Sequence, residues 1–449
     1  MCCVLLVLAL STSLHAPLLA QVDIFGTATN ASTTLTRLAV AKFKPDSTTS
    51  QTEPLRATFD TTLFNDLANA GIFDMVSRSI APPLMPGSPR EMNLQQWSPA
   101  PVSAAMVAFG AVSVAAGKIN ISGFLFDVKN PQYPQVLARQ YTEDASEDSA
   151  RQLAHRFADE IISRLGGGVS GIAETKIYYV HASGTGVNMI KEIWEMDYDG
   201  ANQHAVTHLG QISLSPRVSP DNTRLAFTTL GEDGFKVRMY SLLLGRVVAF
   251  TTHGDPTITP AWSPNGKDIA YAAAPNGDFD IWISDVNGNI ARKVTSFLGP
   301  DMSPVYNPRT GAEIAWISGR TGLPQLYIME TDGSSVQRLT DTGYVSAPSW
   351  SPNGQFIAFG WNRKYGPGAP GGQDIYVMEI ASKKWIQLTH DSGECDFPSW
   401  SPDGRHIVYA NSPGGRVQNM KIWTMLADGT EKKMLTETPG NDMPNWSWK

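Results

Sequence analysis

Pro260-Ala261-Trp262-Ser263-Pro264-Asn265-Gly266 decides the fold, because the same phrase returns as Pro348-Ser349-Trp350-Ser351-Pro352-Asn353-Gly354 and as Pro398-Ser399-Trp400-Ser401-Pro402-Asp403-Gly404. Weaker copies stand at Arg217-Val218-Ser219-Pro220-Asp221-Asn222 and Pro304-Val305-Tyr306-Asn307-Pro308, and a shortened one at Pro444-Asn445-Trp446-Ser447-Trp448. Taking Ser219, Ser263, Asn307, Ser351, Ser401 and Ser447 as equivalent, the steps are 44, 44, 44, 50 and 46 residues. A period of about 40–50 residues with strand-like content marks a β-propeller, one blade per repeat. After each Pro-Asn/Asp-Gly come apolar runs such as Ile269-Ala270-Tyr271 and Ile281-Trp282-Ile283, then a Gly-containing turn, then a short segment ending near Leu-Thr. Such turns supply the backbone angles that tight hairpins need, so each repeat predicts four short antiparallel strands.

The repeats also predict how the array ends. Lys176–Val180, Ile193–Asp197 and the turn at Asp199-Gly200 precede the first phrase, which makes three strands without a first one. One strand, Asn445–Trp448, follows the last full repeat. Three plus one predicts a sixth blade, closed by pairing of the C-terminal strand with the first three strands of the array. The Trp of each phrase is expected to pack between blades.

Residues 37–168 have no repeat. Leu38–Phe43, Phe73–Val76, Met106–Val114, Ile119–Val128 and Val136–Tyr141 read as strands, with a Pro-rich loop from Ala81 to Pro101. Thr58–Ala70 places Phe59, Leu63, Leu67 and Ala70 at helical spacing, and Ser146–Leu165 carries a stripe of Ala150, Leu153, Ala154, Phe157, Ile161 and Leu165. The fold class is therefore an N-terminal α/β domain, a mixed sheet with two principal helices, followed by an all-β six-bladed propeller. Gly166-Gly167-Gly168 is the natural linker, dividing 37–168 from 169–449.

Cys2–Leu10 is apolar and is followed by small and polar residues to Ala20, which reads as an export signal over 1–20, cut near Ala20-Gln21. No later run approaches the ~18 apolar residues of a membrane span. Cys395 would remain alone, a small half-buried residue without disulfide or zinc partners. A large core that needs no disulfide, combined with export, suits a bacterial periplasm. The 35 basic and 42 acidic residues give a net charge of −7, which argues against nucleic acid or an anionic membrane as partner.

Motifs for chemistry are missing from the sequence: there is no Gly-x-Ser-x-Gly elbow, phosphate-binding loop or His-Glu-x-x-His, and no Gly-x-Gly-x-x-Gly after a strand. The array is expected to run to Trp448 with no hydrolase domain after it. Asp197-Tyr198-Asp199-Gly200 has the look of a calcium loop, but falls where sister repeats have hairpin turns and lacks a bidentate acid at the twelfth position. No catalytic residue, metal ligand or cofactor is expected.

Taken together, the signal, the α/β domain, the glycine linker and the six Ser-Pro-Asp/Asn-Gly blades resemble the TolB family of the Tol–Pal system. The junction is similar in detail, Ile177-Tyr178-Tyr179-Val180 leading to Met196-Asp197-Tyr198-Asp199-Gly200-Ala201-Asn202-Gln203. The resemblance implies a non-enzymatic periplasmic scaffold, a monomer, that binds the peptidoglycan-associated lipoprotein Pal through one propeller face. It further implies that an N-terminal arm, 21–36, meets inner-membrane Tol proteins (TolA), linking outer-membrane integrity to constriction at division. No specific arm motif aligns, and Gly366–Gly372 is an inserted loop. The positions matching the family's Pal contacts, in loops leading into each first strand, are Thr257, Ile258, Met302, Ser303, Val345, Ser346, Asp396, Phe397, Asp442 and Met443. Asp255, Asp301, Asp341, Asp391, Glu394, Asp396, Glu437 and Asp442 cluster in the same loops, with only His208, His253 and His390 as nearby cations, so a negative rim is expected there. The alternative is a propeller that binds or hydrolyses a small sugar or peptide in its central channel.

Overall fold

A computed structural model of the chain describes residues 35–47, 49–366, 372–390 and 392–448. The expected export signal, nearly all of the arm and the centre of the Gly366–Gly372 insertion lie outside the described residues.

The first unit is built on a six-stranded mixed sheet. Its elements are β1 (Thr36–Val40), β2 (Lys44–Pro45), α1 (Thr52–Asn69), β3 (Phe73–Met75), β4 (Met106–Ala115), β5 (Lys118–Asp127), β6 (Gln135–Asp144) and α2 (Glu147–Leu165). The sheet order is β3-β1-β4-β5-β6 with β2 beside β4; β1 runs parallel to both neighbours, whereas β4, β5 and β6 are antiparallel. Both helices cover one face, burying Phe59, Leu63, Leu67, Leu153, Phe157 and Ile161 against Val112 and Ile121. The Pro-rich loop covers the other, placing Trp97 and Val102 on Val107, Phe109 and Phe126. Two covered faces explain why β4 reads as a nearly continuous apolar run.

Helix α1 begins six residues before the sequence pattern placed it, at Thr52. Its first turn is polar, yet Arg56 is buried and pairs with both Glu53 and Asp60, and Leu55 is buried. Periodicity of apolar residues does not register a turn that is held by ion pairs. Helix α2 starts where Ser146 Oγ accepts from the Ser149 amide at 3.0 Å, with Glu147 and Asp148 at the positive end of the dipole. It stops at Gly166, and Gly167 and Gly168 take positive φ of 63° and 104°.

From Lys176 onward the described residues are strands and turns, with two single-turn 3-10 helices at Gly186–Asn188 and Val417–Asn419. Four antiparallel four-stranded sheets follow one another over 257–293, 301–338, 344–387 and 394–434. The remaining strands form one eight-stranded sheet: 246–248, 234–241, 224–231, 212–218, 190–197, 176–183 and 441–446 in order, with 204–205 also beside 190–197. Its two halves meet through a single parallel pair, Ile212 with Lys191. The C-terminal strand Asn441–Trp446 is antiparallel to Lys176–Ser183, with Trp446 opposite Ile177 and Asn441 opposite His181.

Four of the phrases use the same local chemistry. The phrase serine turns the chain: Ser263 Oγ donates to Asn265 Oδ1 at 2.8 Å and accepts from the Asp268 amide at 2.9 Å. Ser351 with Asn353 and Phe356, Ser219 with Asp221 and Arg224, and Ser401 with Asp403 and His406 repeat it. Gly266, Gly354 and Gly404 follow at φ of 68°, 71° and 68°, where a side chain is strained. The Thr that closes five of the repeats has a partner too: Thr207, Thr295, Thr340, Thr389 and Thr436 each accept, through Oγ1, an amide near the head of the third strand, at 2.9 Å. Trp262 and Trp350 bridge sheets as expected, their indole N–H groups reaching Arg217 O at 2.9 Å and Val305 O at 3.1 Å in the preceding repeat.

Candidate functional site

The first strands of the repeats each contain one β-bulge, and the bulges occur at one level. Register shifts fall between Leu214 and Arg217, Ile258 and Ala261, Met302 and Val305, Ser346 and Ser349, Asp396 and Ser399, and Asp442 and Asn445. In each bulge one non-glycine residue is left-handed: Ser215, Thr259, Ser303, Ala347, Phe397 and Met443, with φ between 43° and 55°. Left-handed non-glycine residues are uncommon, and a bulge re-aims side chains, so six at equivalent positions form a built feature. Two neighbouring bulges are joined where Ser303 N donates to Thr259 Oγ1 at 3.1 Å, and Thr259 N donates to Thr228 Oγ1 of the preceding second strand at 3.0 Å. Ser215 N lies 3.3 Å from Met443 Sδ.

This geometry alters the expected contact set. The ten positions belong to the first strands, not to loops before them. They are also out of step with one another. Met302-Ser303, Asp396-Phe397 and Asp442-Met443 end on the left-handed residue, whereas Thr257-Ile258 and Val345-Ser346 stop one residue short of it. A one-residue slip along a strand moves a side chain to the other face. Thr257 and Val345 are accordingly buried against neighbouring sheets, and Thr257 Oγ1 accepts the Val237 amide at 3.0 Å. Thr259 and Ala347 are the residues in register with Ser303, Phe397 and Met443. Ile258, Met302, Ser303, Ser346, Phe397 and Met443 are half-buried.

The expected negative rim is corrected more strongly. Asp301 is fully buried, accepting from Trp316 Nε1 at 3.1 Å and pairing with Arg320 at 3.0 Å. Asp442 pairs with Lys191 at 2.8 Å, and Asp255 lies 3.5 Å from Lys236. Asp396 accepts from Ser346 Oγ at 2.6 Å and from the Phe397 amide at 2.7 Å, and burial pushes its carboxyl up to about 6. Gly360 makes room for this: a Cβ there would sit 2.4 Å from Asp396 Oδ1. Lys191, Lys236 and Arg320 come from strands and turns distant in sequence, so a count along the loops could not find them. Asp391 lies outside the described residues.

At the other end of the strands, the turns meet the first unit. His406 lies between Asp403 (Nδ1 to Oδ2, 3.1 Å) and the Asn69 carbonyl (Nε2 to O, 2.8 Å), and Arg405 donates to Gly71 O at 2.8 Å. Burial alone would lower the imidazole, but Asp403 overrides it and holds His406 above its ordinary value. Beside them, His155 of α2 donates to Asp66 of α1 at 2.8 Å, and Tyr198 OH donates to Asp66 at 2.7 Å. His155, Asp197 and Asp199 stand close enough to hold a cation together. Positive charge is already in place, since Arg151 pairs with Asp199 at 2.6 Å and Lys176 pairs with Asp197. Asp197–Ala201 is a hairpin turn, Gly200 N donating to Asp197 O at 2.9 Å. Cys395 is fully buried, beyond the half-buried expectation, and burial pushes its thiol up to about 12.

Two family models match this chain, in the order that the fold displays. The TolB amino-terminal domain matches residues 22–133 and the TolB beta propeller domain matches residues 164–449. The chain belongs to the TolB family. Among members, it is similar to a protein named TolB homolog from Chlorobium luteolum, 30% identical over 299 residues, 66% of this chain and 64% of that protein. It thus spans less than two thirds of that relative's length. A protein named Tol-Pal system protein TolB from Gluconobacter oxydans is 29% identical over 352 residues, 68% of this chain and 74% of its own. The crystal structure of TolB from Acinetobacter baumannii superposes with a TM-score of 0.74 at 23% identity, over 93% of this chain and 97% of that one, a likeness of fold.

The residues that sequence reasoning missed are those just after the proline of each first strand: Arg217, Ala261, Val305, Ser349, Ser399 and Asn445. The signal was present, since Pro-x recurs at a constant position in every repeat.

Proposed function

We propose that this chain is a non-enzymatic periplasmic scaffold of a Tol–Pal envelope complex, exported by a signal over 1–20. In this proposal the unit divides at 168/169. The eight-stranded sheet is two blades bridged by the Ile212–Lys191 pair, so that six blades form a ring closed by Asn441–Trp446 on Lys176–Ser183. The mouth formed by the bulged first strands receives Pal, and the arm over 21–36 meets inner-membrane Tol proteins such as TolA, in support of outer-membrane integrity and constriction at division. The observation that carries the proposal is the set of six left-handed residues at one level of the first strands. They offer a half-buried, mostly uncharged surface with Phe397 and Met443 as the large apolar side chains. An apolar centre with a polar surround is the usual anatomy of a protein-binding patch. Charge steering has a smaller part than loop composition implied, because Asp301, Asp442 and Asp255 are paired within the chain.

The test is capture from envelope extract with the full chain as bait. Recovery of a lipidated, peptidoglycan-binding protein that is lost with Phe397→Glu, and kept with the exposed change Leu243→Glu, is the expected result. Equal recovery by both variants would remove the mouth as the binding face. Turnover of sugar or peptide substrates by the purified chain would remove the scaffold.

A further inference from the structure

A cavity of about 410 Å³ lies inside the ring of first strands, on the side where the phrase tryptophans stand. Its walls include Trp262, Tyr306, Trp350, Trp400, Trp446 and Trp448, with Ser170 of the interdomain linker also lining it. The volume suits a small organic molecule. Four of the residues after the strand prolines supply its polar groups: Arg217, Ser349, Ser399 and Asn445.

The polarity is one-sided. No Asp or Glu is among the described residues of the wall, although the chain as a whole is acidic. Among the described residues, the Arg217 guanidinium has one recorded hydrogen bond, Nη1 to the Pro216 carbonyl at 2.9 Å, and no ion pair. It lines the cavity half-buried, and the partial loss of water around it pushes its pKa down to about 10. A half-buried guanidinium with no counter-charge among the described residues keeps most of its donors free for an anion. The neighbouring groups also leave donors over. Ser349 Oγ accepts from the Trp400 amide at 3.2 Å and Ser399 Oγ from the Trp446 amide at 3.0 Å, which uses one lone pair of each and leaves the O–H hydrogens to donate. Asn445 Oδ1 accepts from the Val218 amide at 3.0 Å, which leaves its NH2 group. Donors in excess, a lone cation and aromatic walls call for an acceptor that is anionic at one end and flat and apolar at the other. Guanidinium matches carboxylate geometry with two parallel hydrogen bonds.

We infer that this cavity is a binding site for a small organic carboxylate with an aromatic body, Arg217 taking the carboxylate and the tryptophan walls the ring. The site lies beyond the mouth proposed to receive a protein, and neither depends on the other.

Titrating the full chain with a fluorinated benzoate and with the matching benzamide, followed by fluorine NMR and tryptophan fluorescence, tests it without any substitution. The acid should bind saturably and roughly ten- to a hundredfold more tightly than the amide, the usual range for a hydrogen bond to a charged group. Arg217→Met should erase that preference while the chain still melts cooperatively, and Arg217→Lys should keep part of it. Inorganic phosphate should compete poorly, since it has no ring for the walls. Absence of saturable binding by the acid, equal affinity for acid and amide, or an unchanged preference in a folded Arg217→Met chain would overturn the site. Phosphate competing as well as the benzoate would overturn its aromatic half.

Discussion

Replacing Trp446 with alanine tests the joint between the two ends of the strand array. The indole is 4% exposed, packs with Ile177, Tyr179 and Ile422, and donates from Nε1 to Thr175 Oγ1 at 2.8 Å. An indole buries roughly 150–250 Å², or about 4–6 kcal/mol gross at ~25 cal/mol per Å². Partial burial in the unfolded chain trims that figure, and measured Trp→Ala changes in cores fall at roughly 3–5 kcal/mol. Total stabilities are about 5–15 kcal/mol, so this one change should remove a large share. The melting midpoint of the array should fall by roughly 6–20 °C, at about 2–4 °C per kcal/mol for domains of this size. Circular dichroism during heating reads it, with Leu243→Ala, 79% exposed, as the comparison that should not move. Truncation before Asn445 should be worse. It also removes the bond from Val218 N to Asn445 Oδ1 and that from Trp448 Nε1 to Val218 O at 3.2 Å, which tie the last strand to the strand 212–218. A Trp446→Ala chain that melts within a few degrees of the unaltered one would refute the stapling of the ends.

Other outcomes follow from single contacts. Thr436→Val keeps the shape of the side chain but leaves the Ile422 amide without its Oγ1 acceptor. Denaturant unfolding should show a loss of about 1–3 kcal/mol, which Thr436→Ser largely restores. Asp396 has a carboxyl raised by burial from 3.8 to about 6, so the folded chain holds its proton more tightly than the unfolded chain. Its contribution therefore worsens as pH rises from about 4 through 6, and Asp396→Asn should stabilise by up to about 3 kcal/mol at pH 8 and by nearly nothing near pH 4. His406 runs the same way for a different reason: its folded pKa is raised, so its bonds to Asp403 and Asn69 O contribute fully below the ordinary value of about 6.5 and fade as pH rises through the raised one. Proteolysis at the Gly166–Ser170 linker should quicken above that pH, and His406→Gln should flatten the dependence.

The repeating frame and its turns are legible in the order of residues alone. Ser-Pro-Asn/Asp-Gly carries its own hydrogen bonds within five residues, and Leu-Thr reaches the third strand across 14, so local spacing was enough to read them. The pairing partner of the last strand was legible for the same reason, as a missing strand at one end and a spare one at the other. The helix start at Thr52 was not legible, because Arg56 and its two carboxylates stabilise a turn that has little apolar pattern. The charge of the mouth and the contents of the cavity were decided only by the tertiary structure. A carboxylate's effect depends on which cation folds beside it, and Arg320, Lys191 and Lys236 do so from other strands. A bulge likewise shifts side-chain direction by one residue without leaving a mark on composition. That is why Thr257 and Val345 stand among the expected partner contacts although they are buried, and why Arg217 is not legible before the first strands bring it to one cavity.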